Sequence, residues 1–281
     1  MKQKSLSKSP VRPRALSALR DAFVRQRPDI PIDAKGYATD FRDTLLSLVV
    51  PDDFEADLSA GDGNELQTKF RALHSSSGLA VNCFAPFRGR MADLTLPVHG
   101  PFEPLRFEQK CPTGLRGGRA PNLDVLLTGP DGVAGIESKL TEYLTPHRAA
   151  FSPAYGEQIR DGRREQGYFR EMLRLIQEPD HYVWLDAAQL IKHAFGLART
   201  FGGRPVTLLY LYWEPANPSA DRVFADHRRE IADFAARVAG STPAFRAMTY
   251  PDLWSSWLDA GPTGWLARHI AELRARYEVT L

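Results

Sequence analysis

The stretch NLDVLLTGPDGVAGIESKL, residues 122–140, decides the fold. Its two short apolar runs, separated by Gly and Pro, read as buried strands, and GPDG between them supplies the tight reversal of a hairpin. Side chains alternate faces along a strand, so Leu123, Val125 and Leu127 fill one face and leave Asp124 on the other with Asn122 and Leu126. Glu137 and Lys139 share a face about 6.6 Å apart, while Ile136 and Ser138 point away. Asp124 can therefore meet Glu137 across the pair.

Burying even a neutral polar group costs roughly 2–7 kcal/mol, so a carboxylate inside NLDVLL needs compensation. A solvated Glu137–Lys139 ion pair on a surface hairpin, worth about 0–1 kcal/mol, accounts for those two residues but not for Asp124. Two adjacent carboxylates repel and raise at least one pKa, whereas a divalent cation keeps both ionised. With no His or Cys close in the sequence, the donors suit a hard, oxygen-binding ion: Mg²⁺, with Mn²⁺ able to substitute.

Asp124, a hairpin, then Glu137-Ser138-Lys139 resembles the D…ExK core of the PD-(D/E)XK, or restriction-endonuclease-like, nuclease superfamily, over roughly residues 61–213. The proline that often precedes the aspartate is displaced, the order being Pro121-Asn122-Leu123-Asp124. The resemblance implies that Asp124 and Glu137 bind Mg²⁺ with the backbone carbonyl of Ser138. It implies an acid from a preceding helix, for which Glu65 is the candidate, and a Lys139 that orients water or stabilises charge on the scissile phosphate. The implied activity is hydrolysis of DNA phosphodiester bonds by a metal-activated water. The alternatives are a catalytically inactive nucleic-acid-binding module of the same fold and a hydrolase of another phosphorylated substrate.

Outward from the hairpin, the pattern predicts an α/β (α+β mixed) chain whose restriction-endonuclease-like core has a central mixed sheet flanked by helices, plus an N-terminal helical section. Residues 1–14, with five basic residues and no acid, read as a flexible basic arm, and 15–60 as the helical section. The core spans 61–250, and 251–281 are C-terminal helices packing on it through Trp254, Trp257, Trp265 and Leu266. Helical spacing is read in YATDFRDTLLSLVV and in a helix beginning at Glu65, with Asp62 or Asn64 as its cap; LAVNCFAPF and LRFEQK read as strands. PVTLLYLYW is a buried strand between helices over 155–177, DAAQLIKHAFGLARTF and DRVFADHRREIADFAARVAG.

A net charge of +2 does not announce a polyanion partner, so any basic surface is local. Arg116 and Arg119 lie among glycines just before Asp124, where guanidinium groups and amides can approach a phosphate. Gln189, Lys192 and His193 stand at i, i+3 and i+4, a polar patch facing either the site or the core. Arg160, Arg163, Arg164 and Arg170 cluster with Tyr168, offering phosphate contacts and stacking, or simply a solvated helix face. DNA is thus the expected partner, and a homodimer is compatible with the sequence. Without a phosphate-binding G-x-x-x-x-G-K-[ST] loop, any ATP-driven partner is a separate chain. Two cysteines without CxxC spacing and no long apolar run fit a cytoplasmic chain with no membrane association.

Overall fold

The computed structural model describes residues 10–60, 64–98, 100–115, 121–155, 166–262 and 264–281. Lys2, Lys4, Lys8, Asp62, Arg116, Arg119, Arg160, Arg163 and Arg164 lie outside them. The sheet is built from β1 (Leu105–Lys110), β2 (Asn122–Thr128), β3 (Val133–Lys139), β4 (Val206–Tyr212) and β5 (Ala244–Thr249), in that spatial order. The first three run antiparallel, and β4 and β5 add in parallel. Gly129 donates its amide to the Gly132 carbonyl at 2.9 Å, closing the expected hairpin turn.

Helices cover both faces, which is why β3 and β4 are apolar almost throughout. On one face Val125, Leu127, Ile136, Leu209 and Leu211 pack with helices α1 (Val11–Gln26) and α3 (Ser76–Phe84). The same layer takes in α7 (Tyr250–Asp259), α8 (Gly264–Tyr277) and Leu58 of the short α2 (Glu55–Ser59). On the other, Leu126, Val133, Leu208 and Tyr210 meet α4 (Gln166–Gln177) and α5 (Ala187–Thr200). Helix α6 (Arg222–Arg237) contributes Phe224 to the first layer and Phe234 to the second. The mixed α/β fold with a flanked central sheet is as expected.

Several local expectations are corrected. Residues 37–50 form no α-helix, only a 3₁₀ turn at Phe41–Thr44. The segment from Glu65 is a run of turns ending in a 3₁₀ turn at Lys69–Arg71; Leu66, Phe70 and Leu73 are buried as their spacing requires, but not on a helix. LAVNCFAPF, expected as a strand, is most of α3 and its 3₁₀ extension, started by Ser75, whose hydroxyl accepts from the Gly78 amide at 3.1 Å. Helix α1 begins at Val11, inside the span expected to be a flexible arm, and buries Val11, Ala15, Leu19, Ala22 and Phe23.

Candidate active site

Strand alternation and register bring three carboxylates abreast. Val125 pairs with Ile136, which places Asp124 opposite Glu137 one step on, and Phe107 and Gln109 pair with Val125 and Leu123, which places Glu108 beside Asp124. All three line one cleft with Gln189 and Lys192 of α5. At this end of the ladder the Asp124 carboxylate itself accepts the Ser138 amide, at 2.7 Å. Ser138 turns its hydroxyl to the opposite face, where it contacts the Tyr250 hydroxyl at 2.7 Å and the Ser76 carbonyl at 3.2 Å, tying β3 to α7 and α3.

Glu137 and Lys139 are ion-paired and buried, the Glu137 side chain 2% and the Lys139 side chain 13% exposed, which rules out the solvated surface pair. Lys139 Nζ also donates to Gln189 Oε1 at 2.9 Å, and His193 Nε2 stands 2.8 Å from Glu137 Oε2. The patch on α5 therefore faces the site. Two carboxylates hold that helix in place: Asp186 accepts the Gln189 amide at 3.0 Å, and Glu230 of α6 accepts the amides of Val183, Trp184 and Leu185 at 3.0, 2.8 and 2.9 Å. Lys192 lies on the same side with Nζ 5.5 Å from the centre of the Phe151 ring.

Burial pushes Asp124 well above the usual carboxylate range, and Glu137 and Glu108 push it further, against Lys139 and the Ser138 amide. Burial would raise Glu137 as well, but Lys139 and His193 outweigh it and bring Glu137 down to about 2. For Lys139 the penalty of burial is overcome by Glu137, Asp124 and Glu142, so it stays an ammonium. Glu108 is raised to about 7 by burial, opposed by a hydrogen bond from Asn122 Nδ2 at 3.0 Å. It also has φ of 49°, a left-handed backbone that a non-glycine residue adopts at a cost of about 1–3 kcal/mol.

These groups line a cleft of about 820 Å³. Asp124, Glu137, Lys139, Glu108, Gln189 and Lys192 all face it, as does Glu65, which arrives from a turn rather than a helix and accepts from the Ser77 hydroxyl at 2.8 Å. His193 sits behind them, buried against Glu137. Arg12, Lys69 and His74 join from the N-terminal section, and sequence reasoning did not place them or Glu108 here. Tyr168 is not available for stacking: it is buried, and its hydroxyl donates to the Pro243 carbonyl at 2.9 Å.

The sequence model of the family described as restriction endonuclease associating with ARP matches residues 17–278. The chain belongs to that family. The match begins within α1 and ends at the residue after α8, so it spans most of the N-terminal section and both C-terminal helices as well as the sheet. No curated protein and no solved structure matched the chain. Among the described residues, no helix is long and apolar enough to cross a membrane.

Proposed function

We propose that the chain is a Mg²⁺-dependent nuclease that hydrolyses phosphodiester bonds of DNA, with Asp124 and Glu137 as cation ligands, Glu65 and Glu108 as further acids and Lys139 beside the scissile phosphate. The observation that carries this is Asp124, half-buried in the wall of the cleft and destabilised as an anion by desolvation and by Glu137 and Glu108. A divalent cation removes that penalty. Among the described residues no three His, Cys, Asp or Glu side chains are grouped so as to hold a metal ion, so the protein would supply at most two such ligands. One or two carboxylates with the rest of the sphere left to water and phosphate is the habit of Mg²⁺, with Mn²⁺ substituting.

When bound, Mg²⁺ supplies Lewis-acid stabilisation of phosphoryl charge and eases ionisation of the attacking water. Lys139, kept protonated by its acidic neighbours, cannot take a proton from that water; it donates hydrogen bonds to a phosphate oxygen or to the water. Gln189 fixes the ammonium from one side and Glu137 from the other, so its aim is set before substrate arrives. Water attacks phosphorus, the bond to the leaving oxygen breaks, and that oxygen takes up a proton.

Purified protein is expected to nick or cut plasmid DNA with Mg²⁺, and Asp124→Asn and Lys139→Ala to reduce cleavage at least 100-fold, a loss of about 2.7 kcal/mol or more of transition-state stabilisation. Undiminished cleavage by either variant sinks the assignment. Salt-sensitive DNA binding without any metal-dependent cleavage would instead identify an inactive DNA-binding module.

A further inference from the structure

Six acids line the cleft, and a nucleic-acid backbone can settle in it only if cations hold the phosphates. Lys192 on α5 provides one edge. The other comes from the opposite side of the sheet, where Arg12 in the first turn of α1 and Lys69 in the 3₁₀ turn Lys69–Arg71 line the same cleft. Arg12 is an unfavourable residue for that position on structural grounds alone, because the first turn is the positive end of the helix dipole. Its neighbour Arg14 compensates by donating from Nη2 to both carboxylate oxygens of Asp221, each at 2.6 Å. Arg12 has no carboxylate partner among the described residues, and its Nε is buried without a hydrogen-bond acceptor. Lys69, exposed, has none either.

We propose that Arg12 and Lys69 are the second half of a phosphate clamp, gripping the DNA backbone on the side of the cleft opposite Lys192, so that the N-terminal section is part of the DNA-binding surface. This rests on the reading of the site as a nuclease centre. It gives Arg12 the anion it lacks. With both lips cationic, the backbone crosses the floor between them, and the phosphate at mid-span lies over Asp124 and Lys139.

The test is duplex binding by fluorescence anisotropy across about 50–200 mM salt, in the full chain carrying Lys139→Ala so that the probe survives. Each phosphate contact contributes about 0.9 to the slope of log affinity against log salt, so Arg12→Ala with Lys69→Ala should flatten it by about 1.8. The double variant then loses roughly tenfold less affinity over that range than its parent. Arg268→Ala, on the exposed side of α8 and outside the cleft, should leave the slope unchanged. If Arg12→Ala does not fold, Arg12→Gln with Lys69→Gln takes its place. An unchanged slope, or no duplex binding by the parent, overturns the clamp. Mg²⁺-dependent nicking by the native protein alongside an unchanged slope would leave the nuclease reading standing; a flattened slope in a protein that never cuts DNA would do the reverse.

Discussion

Glu108 and Asp124 shift in the direction opposite to Glu137 because of what each faces: the first two meet burial and other carboxylates, the third an ammonium and an imidazole. A carboxyl whose folded pKa is raised holds its proton longer in the folded chain than in the unfolded one. Its contribution to stability is present at low pH and is lost as pH rises. For Glu108 the window runs from 4.5 to about 7 and is worth roughly 3 kcal/mol, with Asp124 adding in the same direction. Metal-free protein in chelator should therefore lose stability across that window, and Glu108→Gln should lose distinctly less, read as urea midpoints against pH; equal slopes would mean that Glu108 is solvated. That Asp124, Glu137 and Lys139 come together was legible from the strand period and the short turn, although the period breaks at Leu123, which packs in the α5 layer and not with Val125 and Leu127 as expected. That Gln189 and His193 share one side was legible because one helical turn separates them; that this side meets Lys139 and Glu137 was left open by the sequence. Glu108 was not, since the long connection from β1 to β2 leaves their register open, and register alone makes it a neighbour of Asp124. Tyr168, read as a stacking residue, failed because an aromatic among arginines can equally be the buried stripe of its helix.

Helix α5 carries Gln189 and His193 at a depth set by Gly196, where an added Cβ would collide with the Cys111 backbone carbonyl. Gly196→Ala is expected to push the helix off the sheet, lowering stability by about 1–3 kcal/mol and slowing cleavage by misaligning the groups that aim Lys139. Thermal unfolding and a cleavage assay check it together, and an unchanged melting temperature would show that the helix has slack. The same element was readable from sequence because its apolar and polar faces separate cleanly and Asp186 caps it. Helix α3 was misread for the contrary reason: every residue from Ser77 to Phe84 is buried, so no period distinguishes helix from strand, and only Ser75 as a cap spoke for the helix. The Glu65 segment shows the converse, a helical spacing of Leu66, Phe70 and Leu73 satisfied by successive turns. Strand β5 escaped notice because it is a largely exposed edge with no sustained alternation.

Across the whole molecule, one apolar layer runs from Val11 at the start of α1 to Val279 near the C-terminus, so the segments outside the sheet are bound into the same core that positions the carboxylates. Charge is organised on the same scale: the net excess is only +2, yet Glu65, Glu108, Asp124, Glu137, Glu142 and Asp186 line one cleft with Arg12, Lys69, Lys139 and Lys192. A ligand that binds only the folded chain adds stability in proportion to its occupancy, and a cation in this cleft would do so. Mg²⁺ at about 100 times its dissociation constant should add roughly 2.7 kcal/mol, a rise of about 5 °C or more in melting temperature for a chain of this size. Asp124→Asn should behave differently at both ends of that titration. Without metal it should melt higher than the native protein, because a half-buried carboxylate and its repulsions with Glu137 and Glu108 are gone while the Ser138 amide keeps an acceptor. With metal it should gain little. Equal Mg²⁺ shifts in the two proteins would place the cation somewhere other than this cleft, and a lower metal-free melting temperature for Asp124→Asn would show that Asp124 is stabilised as an anion by the fold itself.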